Sequence, residues 1–295
     1  MKEHIMNAAT QPTAPLSDLY QSRYTELTTH LDSKYQTMWY YMHSTPRPCF
    51  TPRLLQDIHQ FQEDVARLAD SPASSSLRYL VLASDVPGTF NLGGDLDLFK
   101  KLIASQDRHG LFRYAKSCID VLYSNLLGLE RDLTTISLVQ GDALGGGFEA
   151  AMSSHVLIAE RSARFGLPEV LFNLFPGMGA YSILSRKIGE AKAERMILSG
   201  KIYSAEELHE MGIIDVLAED GQGEMAVYEH VRQRGRSWNG VQALRQAKRF
   251  SNPITYEELI SITKVWVDAA MRLEDRDLRM MERLVSRQTV KARAA

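Results

Sequence analysis

The chain has 295 residues, 44% of them hydrophobic, with 34 basic and 36 acidic side chains for a formal net charge of −2. That is enough apolar material for a sizeable core. The close mixing of signs excludes both the basic field of a nucleic-acid binder and the acidic tract of a solvating tail. Two cysteines, with no Cys/His pair at zinc spacing, exclude a disulfide framework and a metal site and point to a reduced, cytoplasmic protein.

Residues Met1 to Pro15 are polar and carry prolines. They have neither the basic lead-in nor the apolar run of a signal peptide, so we expect disorder there and no membrane insertion. Ser17 is suited to cap a helix running to Leu31, which makes 1–33 an N-terminal extension, partly disordered. Lys34 to His43, around Met38, Trp39, Tyr40 and Tyr41, reads as a first strand ended by Pro46-Arg47-Pro48. Thr51-Pro52 then caps a helix in which Leu54, Leu55, Ile58, Phe61, Val65 and Leu68 recur at helical spacing.

Ser71 to Ser76 is a linker, Leu77 to Ser84 a second strand, and Leu98 to Gly128 mostly helix. Ile136 to Val139 is a short buried strand, and the glycines at 145, 146 and 147 lead into a small-residue helix, Phe148 to Ser153. His155 to Ala159 and Ala163 to Phe165 add strands, and Pro176-Gly177-Met178-Gly179 breaks the chain before a helix carrying Ile183, Leu184 and Ile188. Two helices flank Ser199 to Ser204, where Ser204 and Glu207 have the spacing of a capping box. Ile213 to Leu217 is a last strand. The chain divides into a core of alternating strands and helices, 34–217, and a helical region, 218–295.

Two glycine turns follow strands: Phe90-Asn91-Leu92-Gly93-Gly94-Asp95, and Gly141-Asp142-Ala143-Leu144-Gly145-Gly146-Gly147-Phe148-Glu149. Glycine lets a carbonyl approach the backbone closely, and N–H groups in a first helical turn have no intrahelical acceptor, so they can hold a developing oxyanion. Glu149 stands at that helix start and Glu169 in Phe165-Gly166-Leu167-Pro168-Glu169. Two carboxylates flanking an oxyanion site suit proton transfer at the carbon next to a carbonyl. Cys49 and Cys118 sit beside no obvious base, and His43, His155 and the other histidines have no metal or triad spacing.

These motifs, with Phe175-Pro176-Gly177-Met178-Gly179 after them, resemble in order and spacing the crotonase (enoyl-CoA hydratase/isomerase) superfamily, from about Tyr35 to the C-terminus. The resemblance implies an α/β fold, a spiral of repeated β-β-α turns with a C-terminal helical layer. It places the oxyanion donors at Gly94, with Gly93 as the alternative, and Gly146, and the catalytic pair at Glu149 and Glu169, with no cofactor. Keeping both glutamates matches the hydratase/dehydratase pattern, with Glu169 favoured as the base at C2. Candidates for an acyl pocket are Leu144, Met178 and, on a C-terminal helix with Val265 and Met271, Trp266. Superfamily members are often trimers, so a homo-oligomer is among the expectations.

A finer resemblance is to the diffusible signal factor synthases, through Trp39-Tyr40-Tyr41-Met42-His43, Pro46-Arg47-Pro48-Cys49-Phe50-Thr51 and Phe90 to Leu96. It implies a 3-hydroxyacyl group carried on acyl carrier protein, dehydrated to the cis-2-enoyl thioester and then hydrolysed to the free acid, with the receiver domain of a sensor kinase as a further partner. The alternatives are an enoyl-CoA hydratase of fatty-acid metabolism and a crotonase-fold binding protein regulated by such a receiver domain. The basic run Arg232-Gln233-Arg234-Gly235-Arg236 is either a solvated face or a contact for an acidic carrier or a phosphate.

Overall fold

The computed structural model describes residues 23–70 and 77–294; the expected disorder before Pro15, the cap at Ser17 and the linker Ser71 to Ser76 fall outside them. The first described element is β1 (Leu27–Asp32), which forms an antiparallel hairpin with β2 (Thr37–Met42), Leu27 lying opposite Met42. This corrects the expected helix to Leu31. Leu27 and Thr29 are buried while Thr28 and His30 are exposed, a period of two, and β-branched threonines suit a pleated edge. Part of the N-terminal extension therefore belongs to the sheet.

In α1 (Pro52–Ala69) the Thr51 hydroxyl accepts from Leu54 N–H at 2.9 Å and Pro52 opens the first turn, as the sequence suggests. Its buried face carries Leu54, Leu55, Ile58, Phe61, Val65 and Leu68. After β3 (Tyr79–Ser84) and β4 (Thr89–Asn91), the stretch expected to be mostly helix is two helices, α2 (Leu96–Ala104) and α3 (Arg108–Leu126). The break has a cause: the Asp107 side chain accepts from Gly110 N–H at 2.7 Å and starts a new helix, while Gln106 takes a positive φ of 55°.

Next come β5 (Thr134–Val139), β6 (Asp142–Leu144), α4 (Gly146–Met152), β7 (Val156–Glu160), β8 (Arg164–Gly166) and a 3-10 turn, Pro168–Phe172. Then follow α5 (Ala180–Ile188), α6 (Glu190–Ser199), β9 (Ile202–Ser204), α7 (Ala205–Glu210) and β10 (Val216–Ala218). The Ser204–Glu207 capping box forms in full, with bonds of 3.2 and 2.8 Å.

One sheet runs β1-β2-β3-β5-β7-β10 and a second β4-β6-β8-β9, parallel except at β1–β2 and β8–β9. Successive turns of chain give a long strand to the first sheet, a short strand to the second and then a helix. That is the expected β-β-α spiral. The six-stranded sheet is covered on both faces, Leu80, Leu82 and Leu157 packing inward with α1, and Val81, Ile136 and Ile158 packing against Val227 and Val231 of α8 (Gly223–Gly235). Two-sided burial is why β3 reads as a near-continuous apolar run from Tyr79 to Ala83.

The helical layer continues with α9 (Trp238–Ser251), α10 (Tyr256–Ala270) and α11 (Asp275–Ala294), in keeping with the expected helical region. Helix α9 contributes no buried residue. Among the described residues no helix is long and apolar enough to cross a membrane.

Candidate active site

Strands β4 and β6 lie side by side and parallel, with Asn91 beside Ala143, so the two glycine turns leave the sheet together. They touch through backbone. A Cβ on Gly147 would stand 2.0 Å from Asn91 O, and one on Gly93 would stand 2.9 Å from both Gly146 N and Leu144 O. Only glycine allows that approach.

The approach leaves two donors free. Gly93 N–H donates to Asn91 Oδ1 at 2.8 Å and is occupied. The N–H groups of Gly94 and Gly146 donate to no protein acceptor among the described residues, and a Cβ on Gly146 would lie 3.5 Å from Gly94 N. Of the two alternatives in the first turn, Gly94 is thus the one with a donor to offer. Its loop is anchored from behind: Phe50 N–H donates to Gly93 O at 2.8 Å, Leu92 N–H to Pro48 O at 2.7 Å, and Asp95 N–H to the Tyr114 hydroxyl at 3.1 Å. Tyr114 in turn donates to Phe50 O.

Glu149, 1% exposed, is fixed by α5: its Oε1 accepts from Met178 N–H at 2.8 Å and Ala180 N–H at 2.9 Å. Burial raises its carboxyl above the ordinary range, and the two N–H bonds, which favour the ionised form, only partly offset that. Glu169 comes from the 3-10 turn and lies across the second glycine turn, where a Cβ on Gly145 would be 2.5 Å from its Oε1. Its Oε2 is buried without a hydrogen-bond partner. Burial first and the charge of Glu149 second raise Glu169, and its own backbone N–H, against two fixed donors on Glu149, offsets that only in part. The two carboxyls titrate as a pair, and the asymmetry of donors places a shared proton on Glu169.

A cleft of about 650 Å³, counting its mouth, opens over these groups, with Gly94, Gly146, Glu149 and Glu169 all in its lining. The rest of its wall is largely apolar. Trp266 of α10 and Phe99 of α2 meet edge to face at 5.1 Å, Phe99 and Tyr114 at 5.3 Å. Trp266 also lies against Gly177, where a Cβ would come within 2.4 Å, and Met178 Sδ lies over Gly146.

Of the acyl-pocket candidates, Met178 and Trp266 line this cleft and Leu144 does not. Leu144 is the last residue of β6, paired with Gly166, and the chain presents bare glycine backbone to the cleft only after it. Val265 is 59% exposed: one residue along a helix turns the side chain by roughly 100°, so it faces away from its neighbour Trp266. Met271 packs against the core. The basic run 232–236 lies outside the cleft lining.

The sequence reading missed Asn91 and Tyr114, which hold the first turn, and Phe99, Cys118 and Leu174 in the wall. For Asn91 the signal was present, since an Asn side chain bonding the N–H two residues on is a known turn device. For the others, a helical apolar face does not distinguish cleft from core. Burial pushes the Cys118 and Cys49 thiols up to about 12, so neither is a ready nucleophile.

The family profile described as Enoyl-CoA hydratase/isomerase matches residues 57–282. The mitochondrial methylglutaconyl-CoA hydratase of Rattus norvegicus is 32% identical over 178 residues, 60% of this chain and 54% of that protein. The 2,3-dehydroadipyl-CoA hydratase of Escherichia coli (strain K12) is 34% identical over 137 residues, 46% of this chain and 53% of that one. The chain spans about half the length, or less, of the curated relatives it matches. Among solved structures, an enoyl-CoA hydratase from Bacillus halodurans superposes with a TM-score of 0.70 at 18% identity, covering 88% of this chain and all of that one. DspI of Pseudomonas aeruginosa superposes with a TM-score of 0.61 at 24% identity, covering 78% and 84%. At these identities the likeness is one of fold.

Proposed function

The chain belongs to the enoyl-CoA hydratase/isomerase family, and from that premise we propose that it makes a cis-2-unsaturated fatty acid signal, dehydrating a 3-hydroxyacyl group on acyl carrier protein and then hydrolysing the thioester. The observation that carries the chemistry is a pair of buried carboxyls, both raised, beside two backbone N–H groups with no protein acceptor. The finer choice of substrate is supported by the signal-synthase motifs at Trp39 to His43, Pro46 to Thr51 and Phe90 to Leu96.

The thioester oxygen sits between Gly94 N–H and Gly146 N–H. Glu169, ionised, takes the C2 proton, and the resulting enolate oxygen is held by the two donors. Glu149, protonated, gives its proton to the departing 3-hydroxyl, which leaves as water. Dehydration therefore ends with Glu149 ionised and Glu169 protonated. Those are the states hydrolysis needs: Glu149 removes a proton from water, the hydroxide adds to the thioester carbon, and the thiolate leaves with the Glu169 proton. The tetrahedral oxyanion occupies the place the enolate held, so one pair of donors serves both steps. The fixed donors on Glu149 favour this second arrangement of the proton.

The same bias supports a second reading, an enoyl-CoA hydratase, because water addition to an enoyl thioester begins from an ionised Glu149 and a protonated Glu169. Mass spectrometry of products from 3-hydroxydodecanoyl carrier protein separates the two. Free cis-2-dodecenoic acid is the expected product. An untouched carrier-bound substrate, with hydration of a CoA enoyl thioester left intact as a thioester, would replace the proposal by the hydratase. Binding of an isolated receiver domain with no turnover of any acyl thioester would replace both by a binding role.

A further inference from the structure

A second, larger cleft, of about 1570 Å³ counting its mouth, shares no lining residue with the first. It lies at the other ends of the same helices. Helix α3 gives Tyr114 and Cys118 to the first cleft and Tyr123 and Leu126, with its C-cap Leu127, to this one; α4 gives Gly146 and Glu149 to the first and Met152 to the second.

Its charge is unbalanced. Arg186, Lys187, Arg245, Lys248 and Arg249 line it, with Asp215 the one carboxylate of the lining among the described residues. Arg186 is neutralised by Glu258, through bonds of 2.9 and 2.8 Å. Asp215 stands 4.0 Å from Lys187, acts on Arg245 as well, and already accepts from Leu157 N–H. The cations' remaining bonds go to neutral oxygens: Lys187 to Ile213 O at 3.1 Å, Arg245 to the Thr134 hydroxyl, Arg249 to Leu127 O.

These cations feel one another. Burial chiefly lowers Lys187, with Lys248 adding to it against the pull of Asp215, and burial brings Arg245 to about 10 with Arg249 among the opposing charges. His155, in the same wall, is held neutral by burial first and then by Arg245, Arg249 and Lys248. Helix α9 is also turned against the usual rule for an amphipathic helix. Its cationic edge lines the cleft, while Leu244 and Phe250 are 72% and 89% exposed. Crowding like charge around a cavity destabilises the empty protein, and an anion would relieve it.

We propose that this cleft binds an amphipathic anion, its carboxylate or phosphate head among Lys187, Arg245, Lys248 and Arg249 and its apolar tail along Tyr123, Leu127, Ile183 and Ile254. A concave, half-apolar wall fits such a small molecule better than it fits a flat acidic protein face. The site does not depend on which thioester the first cleft takes.

Calorimetric titration of the full chain with dodecyl phosphate and with dodecanoate tests it, with inorganic phosphate and dodecanol as probes lacking tail or charge. We expect saturable binding of one or both amphiphiles that weakens with salt and is tighter than either control. Lys248→Glu and Lys187→Met should each weaken it by about tenfold or more, and Lys248→Glu should leave acyl-thioester turnover unchanged. The better of the two probes identifies the head. Equal binding by wild type and both variants would overturn the proposal, as would dodecanol or inorganic phosphate binding as tightly as the amphiphiles. A Lys248→Glu variant that dissociates an oligomer in sedimentation while binding neither amphiphile differently would assign the face to contact between copies instead.

Discussion

The two clefts share α3 and α4 and meet negative charge by opposite means. Among the described residues the first cleft has no lysine or arginine in its lining, and the groups proposed to hold an oxyanion there are neutral backbone N–H groups; the far cleft is walled by cations. On the two functions proposed above, the difference follows from when the charge exists. An enolate or tetrahedral oxyanion is transient, and fixed dipoles stabilise it without gripping the ground state. A lysine beside Glu149 and Glu169 would hold both ionised and cancel the raised proton affinity on which their exchange of roles depends. A standing anion has no such requirement, and full charges serve it better.

The sharpest way to break the first cleft is to fill its bare backbone. Gly145 has a φ of 52°, and a Cβ there would fall 2.5 Å from Glu169 Oε1. Gly145→Ala should therefore lower kcat by about 100-fold or more, with the fold retained by circular dichroism and a stability cost on the order of 1–3 kcal/mol. Next in size is the wall. Trp266→Ala removes a side chain that is 5% exposed and should cost about 3–5 kcal/mol in denaturant unfolding. Trp266→Phe should keep the fold and move the preference toward longer acyl chains, read as kcat/KM across a chain-length series.

The two ends should also differ in the sign of their pH dependence. Both glutamates are raised in the folded protein, so that protein binds protons more readily than the unfolded chain above pH 4.5. Stability from this source is complete below that pH and is lost as pH rises through the raised values. Glu169→Gln should then be more stable than wild type at pH 8 by on the order of 2 kcal/mol, a gain that vanishes near pH 4.5. His155 acts the other way, because burial and its cationic neighbours lower it from 6.5 to about 3. Its stabilising contribution is full above pH 6.5 and falls as the pH drops toward 3, by at most about 1.4 kcal/mol per pH unit. Melting curves of wild type and His155→Gln from pH 7 to 4 measure that slope, which the variant should lack.

That Gly94, Gly146, Glu149 and Glu169 come together in one cleft was far more legible in the sequence than the far end, for a physical reason. Gly145, Gly146, Gly147, Glu149 and Glu169 lie within 25 residues and act through backbone constraints that glycine betrays locally, and the Thr51 and Ser204 caps are local in the same way. Choosing Gly94 over Gly93 required the Asn91 bond, which a sequence only hints at. Leu144 was placed in the pocket because an apolar residue next to a motif looks like a wall, whereas strand pairing decides where it sits. The β-branched pair Thr28 and Thr29 was a strand signal in the sequence, outweighed there by the expectation of a helix from Ser17. The cationic cleft was not legible. Lys187 is some 60 residues from Arg245, and Arg245, Lys248 and Arg249 at helical spacing read as a solvated face until α9 is seen to set them along one wall of a cleft.

The account stands on the two carboxyls acting together, and single-turnover dehydration of a 3-hydroxydodecanoyl thioester by wild type, Glu149→Gln and Glu169→Gln tests that most directly. Both variants keep the shape of the side chain and lose only the proton chemistry. Each should fall by about 10²–10⁴-fold while still binding substrate. Either variant turning over within a few-fold of wild type would contradict the paired mechanism.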